Sequence, residues 1–151
     1  MDFHHSVGCG CDTCESDHGP ELFVANIKCA ALQNQNFRTA FWTGHHLQMT
    51  LMCIPPCEEI GVEMHDDTDQ LICVEAGTAT IRMGNCKERL DSQCQLHAGE
   101  SVFVPCGTWH NVINNGNCPL KLSSIYAPPR HPKCTIHRTK EDAEKETHQA
   151  Y

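Results

Sequence analysis

Punctuation limits this chain more than any other sequence feature. Short β-type runs recur at 38–42, 46–54, 61–65, 70–75, 78–83, 101–104, 109–113 and 120–126. Turn residues close them, among them Thr43-Gly44, Pro55-Pro56, Ala76-Gly77, Gly84-Asn85, Ala98-Gly99, Pro105-Cys106-Gly107 and Asn114-Asn115-Gly116. Runs this short and this regularly interrupted leave no room for helices between strands, so a βαβ architecture is excluded and an antiparallel sandwich or barrel remains. A further strand is expected at 23–27 and a short helix or turn at 28–35. The clearest helix is C-terminal: Thr139 can cap it, Asp142 stands three residues on, and Glu141 and Lys145 lie one turn apart. Fold class is therefore all-β with a short C-terminal helix.

At 151 residues the chain is one domain. The expected organisation is a polar Cys/His-rich leader over 1–20, a barrel over 21–138 and a helical tail over 139–151. A net charge of −8 and the lack of a basic stripe argue against nucleic acid as a partner. No apolar run approaches a membrane span, and the start of the chain has no signal-peptide pattern, so a cytoplasmic location is the default expectation. Without an export signal, the twelve cysteines are expected to be reduced. Cys29, Cys53, Cys73, Cys86, Cys94, Cys118 and Cys134 then read as small buried hydrophobes.

Two stretches carry chemistry. In Gly61-Val62-Glu63-Met64-His65, Glu63 and His65 are two apart, so strand alternation turns both to one face. In 99–111, a Pro105-x-Gly107 turn precedes His110 at the head of another strand. The acidic loop of Asp66, Asp67 and Asp69 reads as solvated, and Phe103 and Trp109 read as core. Cys106 is expected to present a thiol near the site. His46 could face a cavity as a general acid or base, with Tyr126 and His131 as further candidates.

These stretches resemble the two motifs of the cupin superfamily. The first family motif runs His-x-His, three or four residues, Glu, six residues, Gly; here it reads Glu63-x-His65, four residues, Gln70, six residues, Gly77. The second runs Gly-Asp, four residues, Pro-x-Gly-x-x-His, three residues, Asn; here it reads Gly99-Glu100, four residues, Pro105-x-Gly107-x-x-His110, three residues, Asn114. The stretches 37–44 and 124–132 extend the likeness to the small single-domain cupins often labelled mannose-6-phosphate-isomerase-like. The resemblance implies a double-stranded β-helix, or jelly roll, dimeric through an N-terminal strand. It also implies one divalent metal ion held by Glu63, His65, Gln70 and His110. Glu63 and Gln70 depart from the usual His and Glu. Mixed nitrogen and oxygen ligation suits Fe(II), Mn, Ni or Zn.

Three functions follow as expectations. One is an enzyme moving a proton on a small polar metabolite at the metal, as sugar isomerases, epimerases and lyases do. The same ligands would suit an iron-dependent dioxygenase. The third is a non-catalytic module that stores or senses a metal or small ligand, for which the leader Cys9-x-Cys11-x-x-Cys14-x-x-x-His18 resembles a soft-metal cluster.

Overall fold

A computed structural model describes residues 14–149. Its elements, in order, are α1 (Ile27–Gln33), β1 (Arg38–Thr43), β2 (Gln48–Ile54), β3 (Asp69–Ala76), β4 (Thr78–Gly84), β5 (Ser92–His97), β6 (Ser101–Val104), β7 (Trp109–Ile113), β8 (Leu120–Ala127), β9 (Ile136–His137) and α2 (Lys140–Gln149). All strand pairs are antiparallel. They form a six-stranded sheet ordered β6-β3-β8-β2-β1-β9 and a three-stranded sheet ordered β5-β4-β7. This is a double-stranded β-helix, as expected.

Alternation builds the core. Ile72 and Val74 on β3, Leu120 and Leu122 on β8, and Met52 and Ile54 on β2 point inward from the large sheet. Ala79 and Ile81 on β4 and Val112 on β7 meet them from the small one. The sheets face each other across this layer, which is the main apolar term holding the fold. Among the described residues no helix is long and apolar enough to cross a membrane.

Several expectations need correction. Residues 23–27 form no strand; 23–26 are irregular and Ile27 opens α1, and Leu22 and Val24 stand exposed. β5 escapes a hydrophobicity reading because Ser92, Gln93 and Gln95 are polar and exposed, as an edge strand allows. Of the cysteines expected in the interior, only Cys94 packs against the hydrophobic core, and it is partly buried. Cys29, Cys86 and Cys118 are exposed and Cys53, Cys73 and Cys94 only partly covered, since Cys53 and Cys73 alternate with the inward residues of their strands. Cys134 is bonded to Cys14. Beside that disulfide, Asp17 fastens the leader to the barrel: its carboxylate accepts from Thr43 N (3.0 Å), Thr43 Oγ1 (2.6 Å) and Cys134 N (3.0 Å). Phe103 is 77% exposed on edge strand β6 rather than core.

The C-terminal helix forms with the expected cap. Asp142 N donates to Thr139 Oγ1 and Thr139 N donates to the Asp142 carboxylate, both at 3.3 Å.

Asn114, fully buried, closes the second motif structurally. Its Nδ2 donates to Ile54 O and Cys118 O, and its Oδ1 accepts from Gly116 N, each at 2.9 Å. Asn114→Ala strands the buried Ile54 carbonyl and frees the part-buried Cys118 carbonyl, so urea denaturation should show a loss of about 1–3 kcal/mol; a loss within error of zero would contradict this role.

Candidate metal centre

The segment carrying Glu63 is not a regular strand. It runs antiparallel beside β7 on a few bonds. Asn114 N donates to Glu58 O and Ile60 N to Val112 O, while Glu63 N and His110 N each donate to the other's carbonyl, all at 2.9 Å. The bridges pair Glu59 with Ile113 and Glu63 with His110. Four steps on one side therefore match three on the other, which is a bulge. Gly61 absorbs it at φ 104°, and its N–H donates to Asn111 Oδ1 at 2.9 Å. Without the extra residue Val62 would stand opposite His110. The bulge puts Glu63 there instead.

His65 is fixed from the other side. The Pro105-x-Gly107 turn brings Gly107 N to His65 O at 2.7 Å, with Gly107 at φ 81°, a conformation that favours glycine. Asp69 Oδ1 accepts from Cys106 N (2.9 Å), so one acid of the exposed loop has a structural duty. Cys106 is exposed on this turn.

Glu63, His65 and His110 converge. Nε2 of His65 and Nε2 of His110 each lie 3.5 Å from the same Glu63 Oε1, and the three ligand atoms fall within 4.8 Å of one another. His110 Nδ1–H donates to Thr108 O at 2.9 Å. A carbonyl can only accept, so this bond sets the tautomer and leaves Nε2 with a free lone pair facing the cluster. The Nε2 atoms of both histidines are buried with no hydrogen-bond partner. Buried polar atoms left this way carry a desolvation cost that a shared cation would offset. Burial, the largest influence, pushes the Glu63 carboxyl upward, but the close approach of the His110 and His65 imidazoles and the charges of His65 and Arg38 outweigh it and hold it well below the usual carboxylate range. The centre therefore keeps an anionic oxygen between two imidazoles, a donor set that fits a divalent ion.

Gln70 is buried on β3 opposite Tyr126, and its Oε1 has no partner. The Tyr126 ring lies 5.8 Å from the His65 ring, so Gln70 is placed on the same side of the barrel. His46 is not at the cleft. It stands exposed in the turn before β2, next to His45, because that strand begins two residues later than expected. Of the leader's Cys/His set, Cys9 and Cys11 lie outside the described residues, Cys14 is in the disulfide, and His18 stacks on Phe23 at 4.0 Å.

A cleft of about 630 Å³ opens onto Glu63 and His65. Arg38, Arg130, His131 and His137 line it, and α2 closes one side with Lys140, Glu144 and Glu146. Sequence reasoning missed Arg38, His137 and the α2 residues, because each is scattered in sequence and meets the others only through the β1–β9 pairing. A smaller apolar depression of about 340 Å³ on the outer face, around Leu71, Phe103 and Ile125, holds no titratable cluster. The chemistry belongs to the larger one. His131 Nε2 is buried without a partner, and burial first, then the charge of Arg38, hold its imidazole down to about 3. It stays neutral.

Residues 50–126 match the family model of the cupin domain. The uncharacterized protein YrkC of Bacillus subtilis is 52% identical over 127 residues, covering 84% of this chain and 68% of the relative. The crystal structure of BH2720 from Bacillus halodurans superposes with a TM-score of 0.85 at 48% identity, covering 86% of this chain and 98% of that one. A segment of the mannose-1-phosphate guanylyltransferase ManC of Salmonella typhimurium is 30% identical over 82 residues, which is 54% of this chain and 16% of that protein.

Gly61→Ala meets no steric obstacle, since nothing lies within 4 Å of the added Cβ; only its φ is disfavoured. The variant should fold with about 1–2 kcal/mol less stability yet bind a divalent metal much more weakly, as read by calorimetry. Unchanged affinity would show that the bulge does not aim Glu63. His131 titrates near 6.5 when unfolded and near 3 when folded. The unfolded chain therefore takes up a proton that the folded one refuses, and stability falls as pH drops from about 6.5 to 3. His131→Gln should flatten that part of the stability–pH curve, and parallel curves for the two proteins would refute it.

Proposed function

The chain belongs to the cupin family, and we propose that it binds one divalent metal ion at Glu63, His65 and His110, with Gln70 as a fourth oxygen, and moves a proton on a small polar metabolite. The observation that carries the reading is the pair of buried Nε2 atoms facing one ionised Glu63 oxygen at the floor of an open cleft. A bound ion of Fe, Mn, Ni or Zn would supply Lewis-acid polarisation of a substrate oxygen. The chain's own residues do the rest. The Thr108 carbonyl keeps the His110 tautomer ready. Neutral His131 lines the cleft as a hydrogen-bonding group, and its lowered basicity leaves the general acid or base expected of His46 unassigned. α2 screens the site from bulk water. A sugar-derived ligand draws support from the partial likeness to a mannose-1-phosphate guanylyltransferase. A non-catalytic ligand-binding module is the second reading, favoured by the neutral amide at Gln70.

We also propose a cytoplasmic homodimer. The segment with Leu22, Phe23 and Val24 exposes apolar surface that a second copy would cover, and light scattering reads the mass.

Protein purified without a His tag should carry about one metal ion per chain by elemental analysis. His110→Ala should abolish that binding, and Cys11→Ala should leave it unchanged. Equal loss in both variants would move the site to the leader, and a wild-type chain that takes up none of the four metals would end the reading. Incubated in D₂O with a panel of aldoses, ketoses and sugar acids, the loaded protein should place deuterium beside a carbonyl, seen by NMR. Metal binding without exchange on any of them would favour the non-catalytic module.

A further inference from the structure

Arg38 is the charged group of the cleft that the metal reading does not use. It is 5% exposed, lines the cleft, and makes no ion pair among the described residues. Its Nη1 donates to His137 Nδ1 at 3.1 Å, and its Nε is buried with no partner. Because a guanidinium only donates, His137 Nδ1 must be the acceptor, and the imidazole proton sits on Nε2, directed at the Glu146 carboxylate of α2. Glu146 thus accepts a hydrogen bond from a neutral imidazole and keeps its negative charge. At the rim, Arg130 lies 3.9 Å from Asp67, and Lys140 and Glu144 are one turn apart on α2, so rim charges offset one another. The interior does not balance. Without metal, Glu63 and Arg38 oppose each other. With a divalent ion, one carboxylate stands against one guanidinium and a doubly charged cation, while His131 stays neutral. With the Glu146 carboxylate counted at its edge, an excess of one positive charge then faces the cleft.

We propose that Arg38 is the carboxylate-binding residue of this cleft, so that the substrate is a small hydroxylated carboxylic acid. The inference rests on the metal reading for its charge excess. A carboxylate is chosen over a phosphate for two reasons. One planar guanidinium whose buried Nε lacks a partner matches one planar anion. A phosphate dianion would need further cations at the same depth, and Arg130 and Lys140 stand at the rim. The position of Arg38 on β1, beside His137 of β9, fixes the fork before ligand arrives.

The test is calorimetric titration of manganese-loaded protein with glycolate, D-gluconate, neutral D-glucitol and inorganic phosphate, metal content being measured on each sample. The two carboxylates should bind, glucitol should bind at least tenfold more weakly by loss of a charge-assisted hydrogen bond (roughly 10- to 100-fold), and phosphate should be weaker than gluconate. Arg38→Met should lose gluconate affinity by a similar factor and keep its manganese. Arg38→Lys, which keeps the charge but not the planar fork, stands in if the methionine variant does not fold, and should also weaken gluconate. Equal affinity for gluconate and glucitol, no heat with either carboxylate, phosphate binding the tighter, or undiminished gluconate affinity in the Arg38 variant overturns the proposal while leaving the metal site intact. Failure to load manganese at all strikes the metal reading instead. Gluconate titrated into the metal-free chain then still reads Arg38, with a binding loss in the variant supporting its role and identical curves refuting it.

Discussion

The reciprocal pair of backbone hydrogen bonds between Glu63 and His110 is the contact on which the site rests. It ties a segment with no continuous ladder to the three-stranded sheet, and does so one residue out of step. That slip decides which side chain faces inward. A carboxylate rather than a valine meets the two imidazoles, and its charge then governs the surroundings: His110 Nε2 turns toward it, and Arg38 is left as the inner cation it opposes when no metal is present. The glycine that permits the slip and the Asn111 side chain that stabilises it are part of the same device.

The outer architecture was legible because it is written in periodicity. Runs at 38–42, 78–83, 101–104 and 109–113 alternate, stop at turn residues, and form strands within a residue or so of their expected bounds. The capped C-terminal helix was legible for an equally local reason. What failed was context. Residues 23–27 have strand-like composition, yet among the described residues no strand offers them a partner and Ile27 enters α1. Ser92–His97 has polar composition, yet pairs with β4 because an edge strand with one buried residue, Leu96, satisfies the register. The cysteines misled because their size suits interiors, whereas alternation places Cys53 and Cys73 on the outer face of the large sheet.

The site divides in the same way. Glu63, His65 and His110 stand in short stretches whose spacing is visible, and the geometry brings them together, although through a bulge rather than the regular strand that alternation suggested. Arg38, His137 and Glu146 lie 99 and 9 residues apart along their hydrogen-bonded chain. No window of sequence contains them, and only a two-residue strand returning to β1 makes them neighbours. His46 failed as a cavity residue for a simpler reason: two residues of turn stand where strand was expected, and exposure follows.

The Cys14–Cys134 bond spans a sequence separation of 120, so nearly the whole barrel lies within one covalent ring. A protease that cuts the exposed Asp66–Asp67 loop would open this ring without releasing a fragment, and both halves would stay joined until a reductant acted. The molecule thus carries a memory of its redox surroundings in its topology: oxidised, it tolerates a nick as a linear chain held at one clasp; reduced, the same nick separates Glu63 and His65 covalently from His110, leaving packing alone to keep the three together.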